Sequence, residues 1–383
     1  MKRKITVITG SRAEYGMLRT ILHEIMHNEH LTLYLIVSGM HLSKKNGFTI
    51  NEIKKDGFKI HSIVDMIPKG NSPYDMAYSL GLGVQKFSEI FRKIKPDINV
   101  ILGDRDEVLA SALAASHMNI PNAHIHGGDR SRAGIDEYNR HAITKISNIH
   151  FAATKESHDR IIKMGENPKF VYFTGSPAID EVAQHEITKK EILEKHFKID
   201  FFGDEIILLY HPITNDIQQT KKEIIAILNA IVKIKKPTII IAPNSDAGSL
   251  FVLQNIRKYA KKFSFIKLFN NVPRQDFLGL LTYGGALVGN SSSGMIEASY
   301  FNILVVNVGY RQKDREHGKN VIDIPTVTTS SVYRGIATAI KMKKTLNIKS
   351  NNLYGNGNTS KKIVKILEKI ILNKELIKKQ ISY

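Results

Sequence analysis

Three polar turns in the first half of the chain carry carboxylates and bases, each just after a short apolar run. TGSRAEYGML (9–18) brings Arg12 and Glu14. Arg12 either holds an anion beside a helix N-terminus or forms an ion pair that organises the turn. LGDRDEVLAS (102–111) places Asp104 directly after a buried run. Partial desolvation there suits a carboxylate to proton transfer, although Arg105 opposes it and Asp is also a favoured helix N-cap. HIHGGD (124–129) alternates His124 and His126 on one strand face, then turns through Gly127–Gly128 to Asp129. HxH spacing can ligate a metal, but alone it is a weak signal. The following helix opens on Asp136, one turn from Arg140, as Glu137 is from His141. A salt-bridged helix start explains Asp136 and Arg140 as well as acid/base chemistry does.

The second half offers anion-binding rather than proton-transfer chemistry. YHPITND (210–216) ends an apolar run with His211, either a hydrogen-bonding core residue or an anion ligand. In GNSSSGMIEAS (289–299), Asn290, Ser291, Ser292, Ser293 and Gly294 lead into a helix. Hydroxyls and free backbone N–H groups converge there, as a diphosphate requires, or the serines simply cap the helix. Glu297, about one turn into that helix, can accept from sugar hydroxyls. GYRQKDREHGKNV (309–321) adds Arg311, Arg315 and Lys319, an anion clamp or a solvated loop.

The elements that position these turns alternate regularly. KITVIT (4–9), LTLYLIV (31–37), INVILG (98–103), NAHIH (122–126), HFAAT (150–154) and VYFTG (171–175) read as strands. Helical patterns fall at about 15–28, 75–94, 106–118, 136–147 and 155–164. Ile/Val-rich strands each followed by a helix predict a parallel sheet covered on both faces. The alternation restarts with IILLY (206–210), TIIIA (238–242), FIKLF (265–269), ALVG (286–289) and ILVVNV (303–308), after a polar crossover at about 176–204. The expected fold is α/β: two doubly wound Rossmann-like domains, 1–178 and 179–358, facing a cleft. Ligands in such folds bind at the carboxyl ends of the strands. A terminal helix at about 359–381 closes the second domain or returns to brace the first.

The 383 residues suffice for two cores, and the absence of cysteine excludes disulfides and thiolate chemistry. No apolar run is long enough to span a bilayer and the N-terminus reads as a first strand, so no membrane association and a cytoplasmic location are expected. The net charge of +19 lies largely in Lys/Ile helical segments such as 221–236 and 361–379. Without any nucleic-acid-binding motif it reads as solvated charge, and no nucleic-acid partner is expected.

In order, GSRAEYG, LGDR, HIHGGD, IDEYNRHAITK, the strand-end HP, GNSSSGMIE and GYRQKDREHGKNV resemble the UDP-N-acetylglucosamine 2-epimerase family, whose architecture is GT-B-like, which implies that the terminal helix at about 359–381 packs back on the first domain. IDEYNRHAITK and the GYRQ segment resemble its hydrolysing branch, which supplies precursors of sialic-type acids. The resemblance implies elimination of UDP from a UDP-linked 2-acetamido sugar, followed by hydration with inversion at C2. The substrate is UDP-N-acetylglucosamine or its 2,4-diacetamido-6-deoxy analogue, UDP-diacetylbacillosamine, the latter a legionaminic acid precursor. No metal or other cofactor is implied, and a homo-oligomer, dimer or tetramer, is expected. Asp104 and Asp136 fall at acid/base positions, with Arg140 beside them. Arg12, Glu14, His211, Asn290, Ser291–Ser293, Gly294 and Glu297 fall in nucleotide-sugar-binding motifs, with Arg311 and Arg315 nearby. Non-hydrolysing relatives carry a glutamate where His126 stands, so its role passes to His126 or to Asp129. A GT-B glycosyltransferase is the alternative on the same fold.

Overall fold

The computed structural model describes residues 2–43, 48–68, 70, 72–130, 135–213, 216–243, 248–301, 303–343 and 353–382. The chain divides into two compact units, Met1–Ala183 with Tyr354–Tyr383, and Gln184–Leu353.

Unit 1 runs β1 (Arg3–Thr9), α1 (Arg12–Met26), β2 (Leu31–Ser38), α2 (Ile50–Lys55), β3 (Ile60–Val64), α3 (Pro73–Ile94), β4 (Ile98–Leu102), α4 (Asp106–His117), β5 (Asn122–Ile125), α5 (Ile135–Ile146), β6 (Ile149–Ala152), α6 (Lys155–Lys163), β7 (Val171–Phe173) and α7 (Pro177–Gln184). Its seven strands form one parallel sheet in the order β3-β2-β1-β4-β5-β6-β7. The order reverses between β1 and β4. All five residues of β4 are buried because helices cover both faces, which is why INVIL has no polar alternation.

Unit 2 follows the same plan. It runs α8 (Lys190–Phe197), β8 (Ile206–Leu209), α9 (Ile217–Ile234), β9 (Thr238–Ile241), α10 (Ser249–Lys262), β10 (Ile266–Phe269), α11 (Arg274–Tyr283), β11 (Ala286–Gly289), α12 (Ser292–Met295), β12 (Leu304–Val308), β13 (Val321–Ile324) and α13 (Thr329–Lys343). The parallel sheet order is β10-β9-β8-β11-β12-β13, reversing between β8 and β11. Both units therefore have the doubly wound topology that the alternating pattern predicts, each with one switch point where ligands characteristically bind.

The chain then returns to unit 1 as α14 (Thr359–Lys369) and α15 (Lys374–Ile377). Ile363, Val364 and Leu367 of α14 join Leu18, Ile21 and Leu22 of α1 in the core beneath β1, β2 and β4. Asp180 accepts from the first two backbone N–H groups of α14, Thr359 (2.9 Å) and Ser360 (2.5 Å), anchoring its N-terminus.

Several expectations are corrected. The terminal helix does not run from 359 to 381: it stops at Lys369, Ile370 is extended, and only one further turn forms at α15. The crossover at 176–204 contains α7 and α8, whose buried Ile179, Val182, Leu193 and Phe197 are diluted by charged neighbours in the sequence. Strands β3 and β13 escaped the apolar-run criterion because both are edge strands with mostly half-exposed or exposed side chains.

Candidate active site

At the unit 1 switch point, β1 and β4 end side by side. Ser11 is the N-cap of α1, and the Glu14 carboxylate folds back to accept from Gly10 N (3.0 Å) and Ser11 Oγ (3.2 Å). Its second oxygen, Oε1, is buried without a hydrogen-bond partner among the described residues. Burial, reinforced by the neighbouring Glu107, pushes the Glu14 carboxyl up to about 8. Glu107, 4 % exposed, sits so close to Gly10 that a Cβ there would lie 1.7 Å from its Oε1. Arg105 Nε compensates Glu107 at 2.8 Å. Position 10 therefore needs glycine for close approach, not for a dinucleotide.

Asp104 follows Gly103, whose φ of +84° turns the chain out of β4. The N-cap position of α4 belongs to Arg105, so the capping role considered for Asp104 does not apply. Asp104 instead pairs with Arg140 of α5, whose Nη1 also bonds Glu137 (2.6 Å) and the Asp129 carbonyl (3.1 Å). The Glu137–His141 pair forms at 3.0 Å. Arg140 is thus committed to Asp104 and Glu137, and the Asp136–Arg140 pairing suggested by helical spacing is not the one that organises this helix start. Asp136 is half-buried. Burial, followed by the adjacent Asp104, raises its carboxyl to about 6 against the pull of Arg105 and Arg140. A carboxyl poised near 6 is mostly ionised at neutral pH yet still basic enough to take a proton, the compromise that general bases require.

The two histidines of HIHGGD do not share a strand face. Strand β5 ends at Ile125, and His126 has φ +66°, a left-handed conformation uncommon for a side-chain-bearing residue. His124 is fully buried, with Nε2 2.8 Å from Gly103 O and Nδ1 3.3 Å from Thr144 Oγ1; burial pushes it down to about 3, so it is neutral. It braces the β4 turn. His126 lies between Asp129 Oδ2 (Nδ1, 2.8 Å) and Ser176 Oγ (Nε2, 2.9 Å), while Asp129 Oδ1 accepts from Ser157 Oγ at 2.8 Å. The two rivals for the missing glutamate's place are therefore one hydrogen-bonded pair. Glu14, Asp104, Asp129, Asp136, His126 and Arg140 gather at the carboxyl ends of β1, β4 and β5. Arg12 is apart from them: it is exposed, and its Nε is 3.3 Å from Glu52 Oε2 on α2.

At the unit 2 switch point, Asn290 joins the ends of β8 and β11. Its side chain accepts from His211 N and donates to His211 O, both at 2.8 Å. The Asn290 carbonyl accepts from Arg311 Nη1 (3.0 Å) and Gln312 Nε2 (3.1 Å), which ties the GYRQ loop to the same point. Ser291 N-caps α12, accepting from Ser293 N at 3.4 Å. Ser292, Ser293 and Gly294 form its first three positions. Glu297 lies in the turn after this short helix, not within it, and pairs with Arg274 at 2.7 Å. Arg315 holds a buried Nε with no hydrogen-bond partner among the described residues. Thr214 and Asn215 of YHPITND lie outside the described residues.

The profile of the family described as UDP-N-acetylglucosamine 2-epimerase matches residues 23–368. The chain belongs to that family. It is 37% identical over its full length, and over the full length of the relative, to a UDP-N,N'-diacetylbacillosamine 2-epimerase (hydrolyzing) of Legionella pneumophila. A GDP/UDP-N,N'-diacetylbacillosamine 2-epimerase (hydrolyzing) of Campylobacter jejuni is 35% identical over 84% of each chain. These relatives place it on the hydrolysing branch, as an enzyme of the hydrolysing UDP-sugar 2-epimerase class. A solved UDP-GlcNAc 2-epimerase from Neisseria meningitidis, bound to UDP-GlcNAc, shares the fold with TM-score 0.82 at 19% identity, covering 96% of this chain and all of that one. Among the described residues, no helix is long and apolar enough to cross a membrane.

Two features of this site escaped the sequence. Glu107 stands in LGDRDE, but a first-turn carboxylate usually reads as solvated, and close approach to Gly10 buries this one. Arg274, the Glu297 partner, carries no local signal because 23 residues separate the two.

Proposed function

We propose that the enzyme hydrolyses a UDP-linked 2-acetamido sugar with inversion at C2, releasing UDP and a free manno-configured 2-acetamido sugar. The raised proton affinity of Asp136 beside the Asp104–Arg140 pair carries this reading. In the first stage Asp136 takes the C2 proton as the C1–O bond to UDP breaks, leaving a C1=C2 double bond. In the second stage water adds its oxygen to C1, and C2 receives a proton on the opposite face from the His126–Asp129 pair. The diphosphate leaves with its negative charge held by the Ser291–Ser293 turn, Arg311 and Arg315, and Glu297 accepts from ribose hydroxyls. His211, Asn290 and Gly294 shape the nucleotide site. Arg12, exposed at the start of α1, and Glu14 contribute to binding the UDP-sugar, and Arg140 fixes Asp104.

For the sugar, the 2,4-diacetamido-6-deoxy substrate is favoured by the relatives at 37% and 35% identity, whose names carry it. UDP-N-acetylglucosamine is the second reading, supported by a UDP-N-acetylglucosamine 2-epimerase of Neisseria meningitidis at 30% identity over 93% of this chain. The product would enter synthesis of legionaminic or sialic acid respectively.

Incubation with each UDP-sugar in D2O, followed by NMR, tests both stages. The expected result is UDP together with a free manno sugar deuterated at C2. Retention of the C2 proton and configuration would sink the epimerase reading, and the faster of the two substrates decides the sugar.

A further inference from the structure

Helix α5 carries Asp136 and Arg140 in its first turns, so its axial position sets where both groups stand. Its other end is held by the last residues of the chain. The final turn of a helix leaves backbone carbonyls without intrahelical partners. Here the Lys379 ammonium donates to the carbonyls of Lys145 (2.5 Å) and Ser147 (2.7 Å), and Ser116 Oγ donates to the carbonyl of Ile146 (3.1 Å). A cation at this end also complements the helix dipole.

The cap is built in, not draped over the surface. Lys379 also reaches Glu166 Oε2 at 2.5 Å, and Glu166, 1 % exposed, is met in turn by Lys145 (2.6 Å) and His150 (3.1 Å). Burial alone would raise the Glu166 carboxyl, but these three donors pull it down to about 2 and keep it ionised. The flanking tail is fastened at four further points: Asn148 Nδ2 to Leu376 O (2.8 Å), Ser382 N to Gly165 O (2.9 Å), Lys169 to Glu375 (2.7 Å) and the buried Leu376 side chain.

We infer that residues 374–382 form a strap whose Lys379 is a positioning residue for the reaction, holding α5 from behind so that Asp136 and Arg140 meet Asp104. This rests on the catalytic reading of α5 given above. A helix of 12 residues spans about 18 Å and moves nearly as a rigid rod, so loosening its C-terminal anchor displaces its N-terminal turn. Misplacement by about 1 Å costs a reacting group roughly 100-fold in rate. Partial loosening is expected to cost about tenfold.

The test compares Lys379→Met and Lys379→Arg in the full chain, using whichever of the two UDP-sugars the unaltered enzyme turns over, together with hydrogen exchange of α5. Lys379→Met is expected to lower kcat about tenfold, leave KM within twofold and speed exchange along α5, while Lys379→Arg restores all three. If Lys379→Met does not fold, Lys379→Gln, which keeps N–H donors for the two carbonyls, is read by the same criteria. A folded variant with a lowered melting temperature but unchanged kcat and α5 exchange overturns the inference. Asp136→Asn, assayed alongside, separates the two claims. If it is inactive while Lys379→Met is fully active, only the strap fails. If Asp136→Asn is fully active, the catalytic reading of α5 fails and the strap's role goes with it.

Discussion

Asp136→Asn should make the protein more stable while making it inactive, and the gain should depend on pH in a defined way. The folded-state carboxyl lies near 6, above its ordinary 3.8, chiefly because of burial. Below pH 4 the group is protonated both folded and unfolded and contributes no difference. Between about 4 and 6 the unfolded chain releases the proton while the folded chain keeps it, so stability falls as pH rises. Above 6 both are ionised and the cost is constant. The rise from 3.8 to about 6 is worth about 3 kcal/mol, at 1.36 kcal/mol for each tenfold change in proton affinity. Because Asp136 is only half-buried, solvent screening reduces this to about 1–2 kcal/mol. Asn removes the charge at nearly constant shape. Its melting temperature should match the unaltered protein at pH 4 and exceed it by about 2–6 °C from pH 6.5 to 8. Paired thermal scans across pH 4–8 measure this, and the same variant should lose a factor of about 100–10,000 in turnover. A variant that is less stable at pH 7.5, or whose gain is the same at pH 4, would refute the buried-carboxylate argument.

Four other outcomes follow from the site. Glu14→Gln keeps an acceptor for Gly10 N and Ser11 Oγ and removes a charge that burial disfavours, so it should flatten the fall in stability between about pH 4.5 and 8. Glu14→Ala should cost about 1–3 kcal/mol, measured by denaturant unfolding at pH 7. Asp129→Asn removes the carboxylate that orients His126, and UDP should still be released while the unsaturated sugar accumulates, seen by NMR; normal yields of the free manno sugar would remove the pair from the second stage. Glu297→Ala should weaken UDP binding roughly 10-fold or more in calorimetry, and unchanged affinity would assign Glu297 only to its pair with Arg274.

What the sequence disclosed of this site follows from how parallel sheets are made. Buried strands such as INVIL must be continuous in apolar residues, so the polar residues just beyond them stand out, and Asp104, His126 and Asn290 are found at strand ends for that reason. Partner choice is a different matter. Helical spacing offered Asp136 to Arg140, but Asp104, 36 residues away, takes that guanidinium once β4 and β5 lie side by side. The turn of His126 out of its strand face depends on one backbone angle that alternation cannot encode. The break at Ile370 is equally silent: Lys and Ile continue beyond it with helical spacing, yet Arg3 donates to the Ile370 carbonyl at 2.9 Å and fixes the chain as it leaves the helix.

The return of α14 to unit 1 also orders events during synthesis. Ile363, Val364 and Leu367 belong to the core beside α1, and the α14 N-terminus is anchored on Asp180. A ribosome adding about 5–20 residues per second has made all of Gln184–Leu353 before those side chains exist. Through that interval the nascent first unit holds an open apolar face on α1, while the second unit is already free to fold. The proposed acid/base cluster, whose helix α5 is held by Lys379, is thus completed only after the second unit has been made, and the α1 face stays open until then.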